Sequence, residues 1–390
     1  MVGRLGVAFL APTPPPVMGP SIATRVVLSE PPPTDIALCH IDTADRRSLE
    51  TLGRVDAKNL WDALSAYARL LWVLVTKRPR LVYVPLSQTT VGFLRDSGHV
   101  LLATLFRRRV LLHLRGGYFR AWYDEECSGF MRAWVRFILR RTHGVIVLGE
   151  TLRPLFRGLV PEEAIHVVPN GEDYPELADV RRACDGRTAF RILFLGNLIP
   201  TKGPGELLRA VPGILARHPG TRFVFAGAWR DESLRTWATA FVREQGIERA
   251  VEFAGAVERD RKAELLRESD LLVFPTYYRN EGQPWVIVEA LAAGLPVIST
   301  DHASIRECVV HGKNGLLVPK RDPAAVAAAV LDLLDHPERL DRMGRESRAL
   351  HAARFNRTSF RRGLFQAMRA AAAGEGGSVG QSAQGARACG

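Results

Sequence analysis

A chain of 390 residues exceeds what one compact core ordinarily organises, and 47% apolar with 24% charged residues is the balance of a soluble globular protein. The net charge of +12, carried almost entirely by Arg, favours anionic partners such as a nucleotide, a nucleic acid or an acidic lipid surface. No apolar run approaches the ~20 residues of a membrane span. Five scattered Cys, with no C-x-x-C pair or Cys/His cluster, argue against a disulfide framework and a structural zinc site.

The first apolar stretch is short for a signal peptide, and Leu5–Leu10 reads as a buried strand. A loop rich in Pro and Gly, Ala11–Pro20, leads to a second strand, Ile36–Ile41. Leu60, Leu64, Tyr67, Leu71 and Leu74 recur at helical spacing and predict a helix over 57–77. The strand Leu81–Pro85, an apolar segment near Val100–Phe106, the strand Val110–Leu114 and a helix over Phe130–Arg141 follow. Val145–Leu148 and Ile165–Val168 complete a first set of strands. After a polar stretch around Glu172–Thr188 the pattern restarts. Strands fall at Arg191–Leu195, Arg222–Ala226, Val251–Ala254, Leu271–Phe274, Val297–Thr300 and Leu316–Val318, and helices at Gly205–Arg217 and Glu232–Gln245. Asp322–Leu334, Pro337–His351 and Thr358–Ala373 read as helices. Residues 374–390 show no apolar periodicity and are expected to be a disordered tail.

Strands alternating with helices imply parallel sheets covered on both faces. The α/β architecture expected is two tandem Rossmann-like, doubly wound domains over 1–180 and 181–355, facing across a cleft. A helix over 356–373 would pack back toward the first domain. Ligands of such sheets bind beyond the carboxyl ends of the strands.

Two stretches carry the chemistry of the second half. In Phe194–Val211 a strand ends at Gly196, a loop holds Lys202 and Gly203, and a helix follows Pro204; this arrangement suits a phosphate, without a dinucleotide or Walker fingerprint. Lys202 is one of only six Lys among 53 basic residues, although a loop Lys is most often merely solvated. In Asn280–Thr300, Glu281 and Glu289 flank a loop and a helix start, with Pro284 fitting the first helical position and Gly294 and Pro296 ending the helix. Taken alone, the pair reads as well as two solvent-facing Glu on a surface helix. In the first half His113 lies near the end of a strand, in LLHLRGGYF, where a core histidine is the commoner reading. Phe130–Arg141 is an amphipathic basic stretch, by default a core-facing helix.

Four pieces in order, GNLIPTKG (Gly196–Gly203), EGQPWVIVE (Glu281–Glu289), AAGLPVIST (Ala292–Thr300) and SIRECVVHGKNGLLVP (Ser304–Pro319), resemble the retaining glycosyltransferases of family 4, the group 1 type with a GT-B fold. The resemblance covers roughly residues 190–345 well and the first half loosely. It implies that Glu289 holds the ribose of a nucleotide-diphospho-sugar donor. Glu281 would face hydroxyls of the donor sugar, beside the backbone N–H groups of Gly282 and Gln283. Lys202 would neutralise the diphosphate, next to Gly196 and Asn197, aided by N–H groups of Trp285 and Val286. The resemblance also raises His113 as a group facing the donor sugar, and Gly19 as a point of backbone approach to phosphate or acceptor. Two departures stand out: Asn197 replaces a customary Arg, and Pro284 replaces a customary Gly. Arg279 or Arg306 is the candidate for the missing charge.

The implied reaction is transfer of a sugar, with retention, to a carbohydrate or lipid-linked acceptor in polysaccharide or glycolipid biosynthesis, with no separate cofactor and no metal. A cytoplasmic location is expected, with peripheral contact to an anionic membrane through Phe130–Arg141 and Arg107–Arg109. The alternatives are a GT-B epimerase or phosphorylase, and a non-catalytic binder of nucleic acid or membrane. Nucleic acid is not expected, because the Arg are spread over both halves.

Overall fold

A computed structural model describes residues 4–44, 57–178 and 189–374. Most of the polar connecting stretch (179–188) and the tail from 375 onward lie outside the described residues. The first half supplies strands β1 (Leu5–Ala11), β2 (Ile36–Asp42), β3 (Leu81–Leu86), β4 (Arg109–Leu114), β5 (Gly144–Val147) and β6 (Ile165–Val167). They form one parallel sheet in the order β2-β1-β3-β4-β5-β6. The second half supplies β7 (Arg191–Leu195), β8 (Arg222–Ala226), β9 (Val251–Gly255), β10 (Leu271–Phe274), β11 (Val297–Thr300) and β12 (Gly315–Val318). Their order is β12-β11-β10-β7-β8-β9, again parallel. Runs such as Val7–Ala11, Val110–Leu114 and Leu271–Phe274 are buried throughout, as strands covered on both faces must be.

Helices of the first half are α1 (Gly19–Leu28), α2 (Ala57–Thr76), α3 (Thr90–Leu105), the short α4 (Phe119–Ala121), continued by a π-helical turn at Trp122–Glu126, and α5 (Gly129–Leu139). The second half has α6 (Pro204–Leu215), α7 (Glu232–Glu244), α8 (Arg259–Glu268), α9 (Trp285–Ala292), α10 (Ile305–Cys308), α11 (Pro323–Leu334), α12 (Pro337–Arg354) and α13 (Arg357–Ala373).

Helix α1 corrects the sequence reading, in which Gly19 and Pro20 belonged to a loop. Pro20 sits in the first turn, where a missing N–H costs nothing. The Met18 N–H donates to Ser21 Oγ at 2.9 Å, closing the helix start. Helix α2 forms where its periodicity predicts. Its inner face is Ala66, Leu70, Val73 and Leu74, whereas Leu64 and Leu71 point outward at 52% and 43% exposure.

Helix α13 crosses back to the first sheet. Phe360, Leu364, Phe365 and Met368 pack in one core with Val7, Phe9, Leu81, Tyr83 and Leu111. Arg361, buried, donates to the carbonyls of Val26, Val27, Glu30 and Pro31 and so closes the carboxyl end of α1. In α5, Met131, Val135, Ile138 and Leu139 face the core. Of the arginines here, Arg132 donates to the Asp124 and Cys127 carbonyls, Arg136 to the Tyr123 hydroxyl, and Arg141 stacks on Phe137, while Arg140 is exposed. Among the described residues no helix is long and apolar enough to cross a membrane.

Candidate active site

In the second sheet the strand order reverses between β10 and β7, and the loops leaving those two strands form the switch-point crevice. The loop after β7 carries Gly196, Asn197 and Lys202; the loop after β10 carries Thr276 through Pro284. Gly196 adopts φ +143°, and its carbonyl would meet any Cβ on Gly227 at 1.9 Å, so two glycines let the loops after β7 and β8 run in contact. Gly203, at φ +84°, turns the chain into α6 and throws Lys202 back over the crevice.

Lys202 Nζ lies 3.6 Å from Glu281 Oε2 and 5.6 Å from the ring centres of both Phe274 and Tyr278. Glu281 also accepts from Thr276 Oγ1 at 3.4 Å. The Lys202 and Glu281 side chains are 21% and 11% exposed, so their attraction is only partly screened. Asn197 is exposed at the mouth.

Pro284 proves to be the residue before α9 rather than its first helical residue. With no side-chain cap there, the N–H groups of Trp285 and Val286 have no acceptor within their own helix. Glu289, one turn further along α9, is 2% exposed. Its Oε1 accepts a short hydrogen bond from Lys262 of α8, while Oε2 is buried without a partner. Lys262 was not singled out in the sequence, which gave no sign of α8. Tyr174 lies close by, its hydroxyl pKa raised well above the ordinary value by burial and then by Glu289. Beside these groups is a cavity of about 370 Å³ lined by Val17, Ile22 and Arg25 of the first domain and by Tyr174, Val257 and Lys262. That volume suits a small-molecule site.

The first domain reaches this crevice through the carboxyl end of β4. His113 is fully buried, and its Nδ1 lies 2.7 Å from the Tyr83 hydroxyl. Burial, then the Arg115 guanidinium, holds the imidazole pKa well below its ordinary value, so the ring is neutral. Burial raises the Tyr83 hydroxyl pKa, with the Arg115 charge opposing, and Arg115 itself donates to Asn170 Oδ1 at 3.1 Å. With Tyr83 as the donor to Nδ1, the ring proton lies on Nε2. Nε2 is buried without a partner, at a cost of about 1–3 kcal/mol until a polar group reaches it.

Close backbone approaches join the halves. A Cβ on Gly117 would stand 2.4 Å from the Glu281 carbonyl oxygen, and one on Gly282 2.6 Å from the Arg115 carbonyl oxygen. Trp285 Nε1 donates to the Gly19 carbonyl at 3.0 Å. Gln283 Oε1 accepts from the Asn170 N–H at 2.5 Å, and the Gln283 carbonyl from Asn170 Nδ2 at 3.1 Å. Gln283 is thereby a domain-bridging side chain, and Gly19 meets Trp285. The two guessed replacement cations are occupied elsewhere. Arg279 pairs with Glu126 at 3.2 Å and stacks on Tyr118, and Arg306 is engaged with Asp301. His302 Nδ1 lies 3.0 Å from Lys320 Nζ, and burial lowers the His302 pKa while the Glu281 carboxylate opposes that shift.

Residues 186–350 match the model of the family described as glycosyl transferases group 1. The second domain is a group 1 glycosyltransferase domain. The chain is 29% identical over 239 residues to a glycogen synthase of Mycobacterium tuberculosis, a match covering 60% of this chain and 55% of that protein. It is 36% identical over 170 residues to D-inositol 3-phosphate glycosyltransferase 2 of Catenulispora acidiphila, covering 42% and 39%. It thus spans about half the length of the curated relatives it matches. The fold extends over both halves: the Anabaena protein HepE, solved with UDP and glucose, superposes with a TM-score of 0.68 at 17% identity, covering 94% of this chain and 100% of that one. The architecture is GT-B.

Proposed function

We propose that this group 1 protein is a retaining glycosyltransferase that moves a sugar from a nucleotide-diphospho-sugar to an acceptor hydroxyl, in polysaccharide or glycolipid synthesis. The observation that carries the reading is the meeting of Lys202 with Glu281 at 3.6 Å, at the start of α9 and one turn from the half-paired Glu289. That HepE was solved with UDP and glucose supports a donor of that class.

In this reading the Glu289 carboxylate accepts from ribose hydroxyls, and the diphosphate lies against Lys202 and the N–H groups of Trp285 and Val286. A helix start contributes about 0.3–1 kcal/mol toward an anion. Glu281 and the Nε2–H of His113 hold hydroxyls of the transferred sugar. The bond from the anomeric carbon to the diphosphate oxygen breaks, and its electron pair goes to that oxygen. The acceptor oxygen bonds to the same face of the sugar, and its proton passes to the departing phosphate. Charge developing on the diphosphate is met by fixed donors, the most productive form of electrostatic catalysis.

The test is a thermal-shift panel of UDP, GDP and ADP with their sugars, followed by turnover on the best binder. One nucleotide should raise the melting temperature, Lys202→Ala should remove most of that rise, and Glu281→Ala should lower turnover with nucleotide binding kept. No rise with any nucleotide, in protein shown to be folded, overturns the proposal.

A further inference from the structure

Helix α2 is apolar on two faces. Behind the inward Ala66, Leu70, Val73 and Leu74 stands an outward stripe of Leu64, Ala68, Leu71, Trp72 and Val75, with Trp72 57% and Val75 53% exposed. A helix apolar all round is normally buried on all sides. Its neighbour α3 repeats the pattern, with Val91 at 64%, Leu94 at 47% and Leu105 at 77% exposure. Between the two helices runs an open groove of about 440 Å³, lined by Tyr67, Leu71, Gly98, Leu101, Leu102 and Leu105. The patch is continuous across two elements, unlike the single surface apolar residues of any protein.

Its charge says what covers it. Among the described side chains of α2, α3 and the segments beside them, residues 63–109, there are eight Lys and Arg and a single acidic residue, Asp96. Asp96 is buried and bonded by Arg95 and the Ser87 N–H, so it offers no negative charge to the surface. Lys77, Arg78 and Arg107 are exposed at the carboxyl ends of the two helices. Arg78 and Arg107 both adopt positive φ, 46° and 56°, positions where glycine is the unstrained choice. Each helix thus ends on a cation held at a backbone cost.

We infer that the outer faces of α2 and α3 form a docking surface for an anionic lipid bilayer, with the apolar stripe entering the acyl boundary and the arginines meeting the headgroups. A second copy of the chain fits less well: a two-fold interface would set this patch, basic among its described side chains, against itself. The stretch Phe130–Arg141, singled out for membrane contact in the sequence, exposes Phe130 at 79%, Phe137 at 39% and Arg140, while Arg132 and Arg136 are bonded within the protein. The inference stands apart from the transfer reaction, and its test measures binding without turnover.

The experiment is co-sedimentation of the full chain with phosphatidylcholine vesicles, with and without phosphatidylglycerol, at low and high salt. Binding should require the anionic lipid and weaken at high salt. Trp72→Gln combined with Leu71→Gln should abolish it. Arg78→Gly and Arg107→Gly, which relieve the backbone and so keep the fold, should each weaken it about 5-fold, and together roughly 25-fold. Absence of binding, equal binding to neutral vesicles, or binding indifferent to these variants overturns the inference. So does a dimer in sedimentation velocity that Leu71→Gln separates, which would make the face a contact between copies.

Discussion

Replacing Lys262 by Met tests the least expected feature of the site. Glu289 has a side chain only 3% exposed, and Lys262 is the one partner found for its Oε1, with none for Oε2. Removing one member of a buried ion pair costs about 3–5 kcal/mol, because the other charge is left without compensation. Lys262 itself is 24% exposed, so water screens part of the interaction, and about 2–3 kcal/mol is the expected loss. For a domain of this size each kcal/mol moves the melting temperature by about 2–4 °C, so the variant should melt roughly 5–10 °C lower. The assay is thermal unfolding of four proteins: wild type, Lys262→Met, Glu289→Gln and the double variant. Glu289→Gln alone should be milder, since a partly exposed ammonium can be solvated. The double variant should recover most of the stability lost by Lys262→Met, a coupling expected only of groups in contact. A fall below about 2 °C, or strict additivity of the two single changes, would refute a compensated buried carboxylate here.

His113→Ala removes the buried, unpartnered Nε2; transfer should fall about 5- to 150-fold in kcat/KM, from roughly 1–3 kcal/mol, while UDP affinity stays within about two-fold. Unchanged transfer would reduce His113 to a core residue. Gly117→Ala puts a methyl 2.4 Å from the Glu281 carbonyl oxygen and 3.3 Å from Ala303 Cβ; both are held by backbone, so the halves must separate, and turnover should fall with nucleotide binding largely kept. His99, buried with both ring nitrogens unpartnered, has its pKa lowered to about 4 by burial. Its unfolded-state value is about 6.5, so as pH falls below that the unfolded chain takes up a proton that the folded chain does not. Stability should therefore be lost between pH 6.5 and 4, by roughly 2 kcal/mol at pH 5 from this residue. Denaturant titrations of His99→Phe at pH 7 and 5 should show a correspondingly smaller loss, and an identical loss would refute the assignment.

Much of the fold could be read from the sequence because parallel strands buried on both faces appear as plain apolar runs, and these were located to within a residue or two. Helix α1 escaped because Gly19-Pro20 is locally a turn signal, and only the packing of Ile22, Ala23, Val26 and Val27 under α13 selects a helix. The orientation of α2 escaped for a different reason. With apolar residues on two faces, periodicity establishes a helix but cannot say which stripe faces inward. In the site, Lys202 and Glu281 could be matched through the motifs around them, and Pro284 was misplaced by one position, the usual uncertainty of a helix boundary. Lys262 gave no local sign. It lies 27 residues before Glu289, on a strongly polar helix whose buried face is only Ala263, Leu265 and Leu266. Asn170 and Gln283, 113 residues apart, meet only because two domains face each other.

The two domains are also joined in a way that limits how they can move. The chain leaves the first domain through Gly171–Asp173 and returns through Phe355–Arg357, and these crossings lie side by side. The Glu172 N–H donates to the Phe355 carbonyl at 3.1 Å, His351 Nε2 lies 3.0 Å from the Glu172 carbonyl, and the Arg357 N–H donates to Asp173 at 3.1 Å. A Cβ on Gly171 would stand 2.4 Å from the Asn356 carbonyl oxygen, so this crossing tolerates nothing larger. Two adjacent crossings define a hinge axis, and rotation about it is the movement they permit. On the far side the halves are held by a few hydrogen bonds, among them Trp285 to Gly19 and the exposed Arg279–Glu126 pair. Each contributes on the order of 1 kcal/mol or less, and the Asn170–Gln283 bonds and the buried Trp285 indole, packed in the core of the first sheet, add to them. Glu289 Oε2 is covered in this closed arrangement. Rotation about the hinge would part Gly117 of one domain from the Glu281 carbonyl of the other.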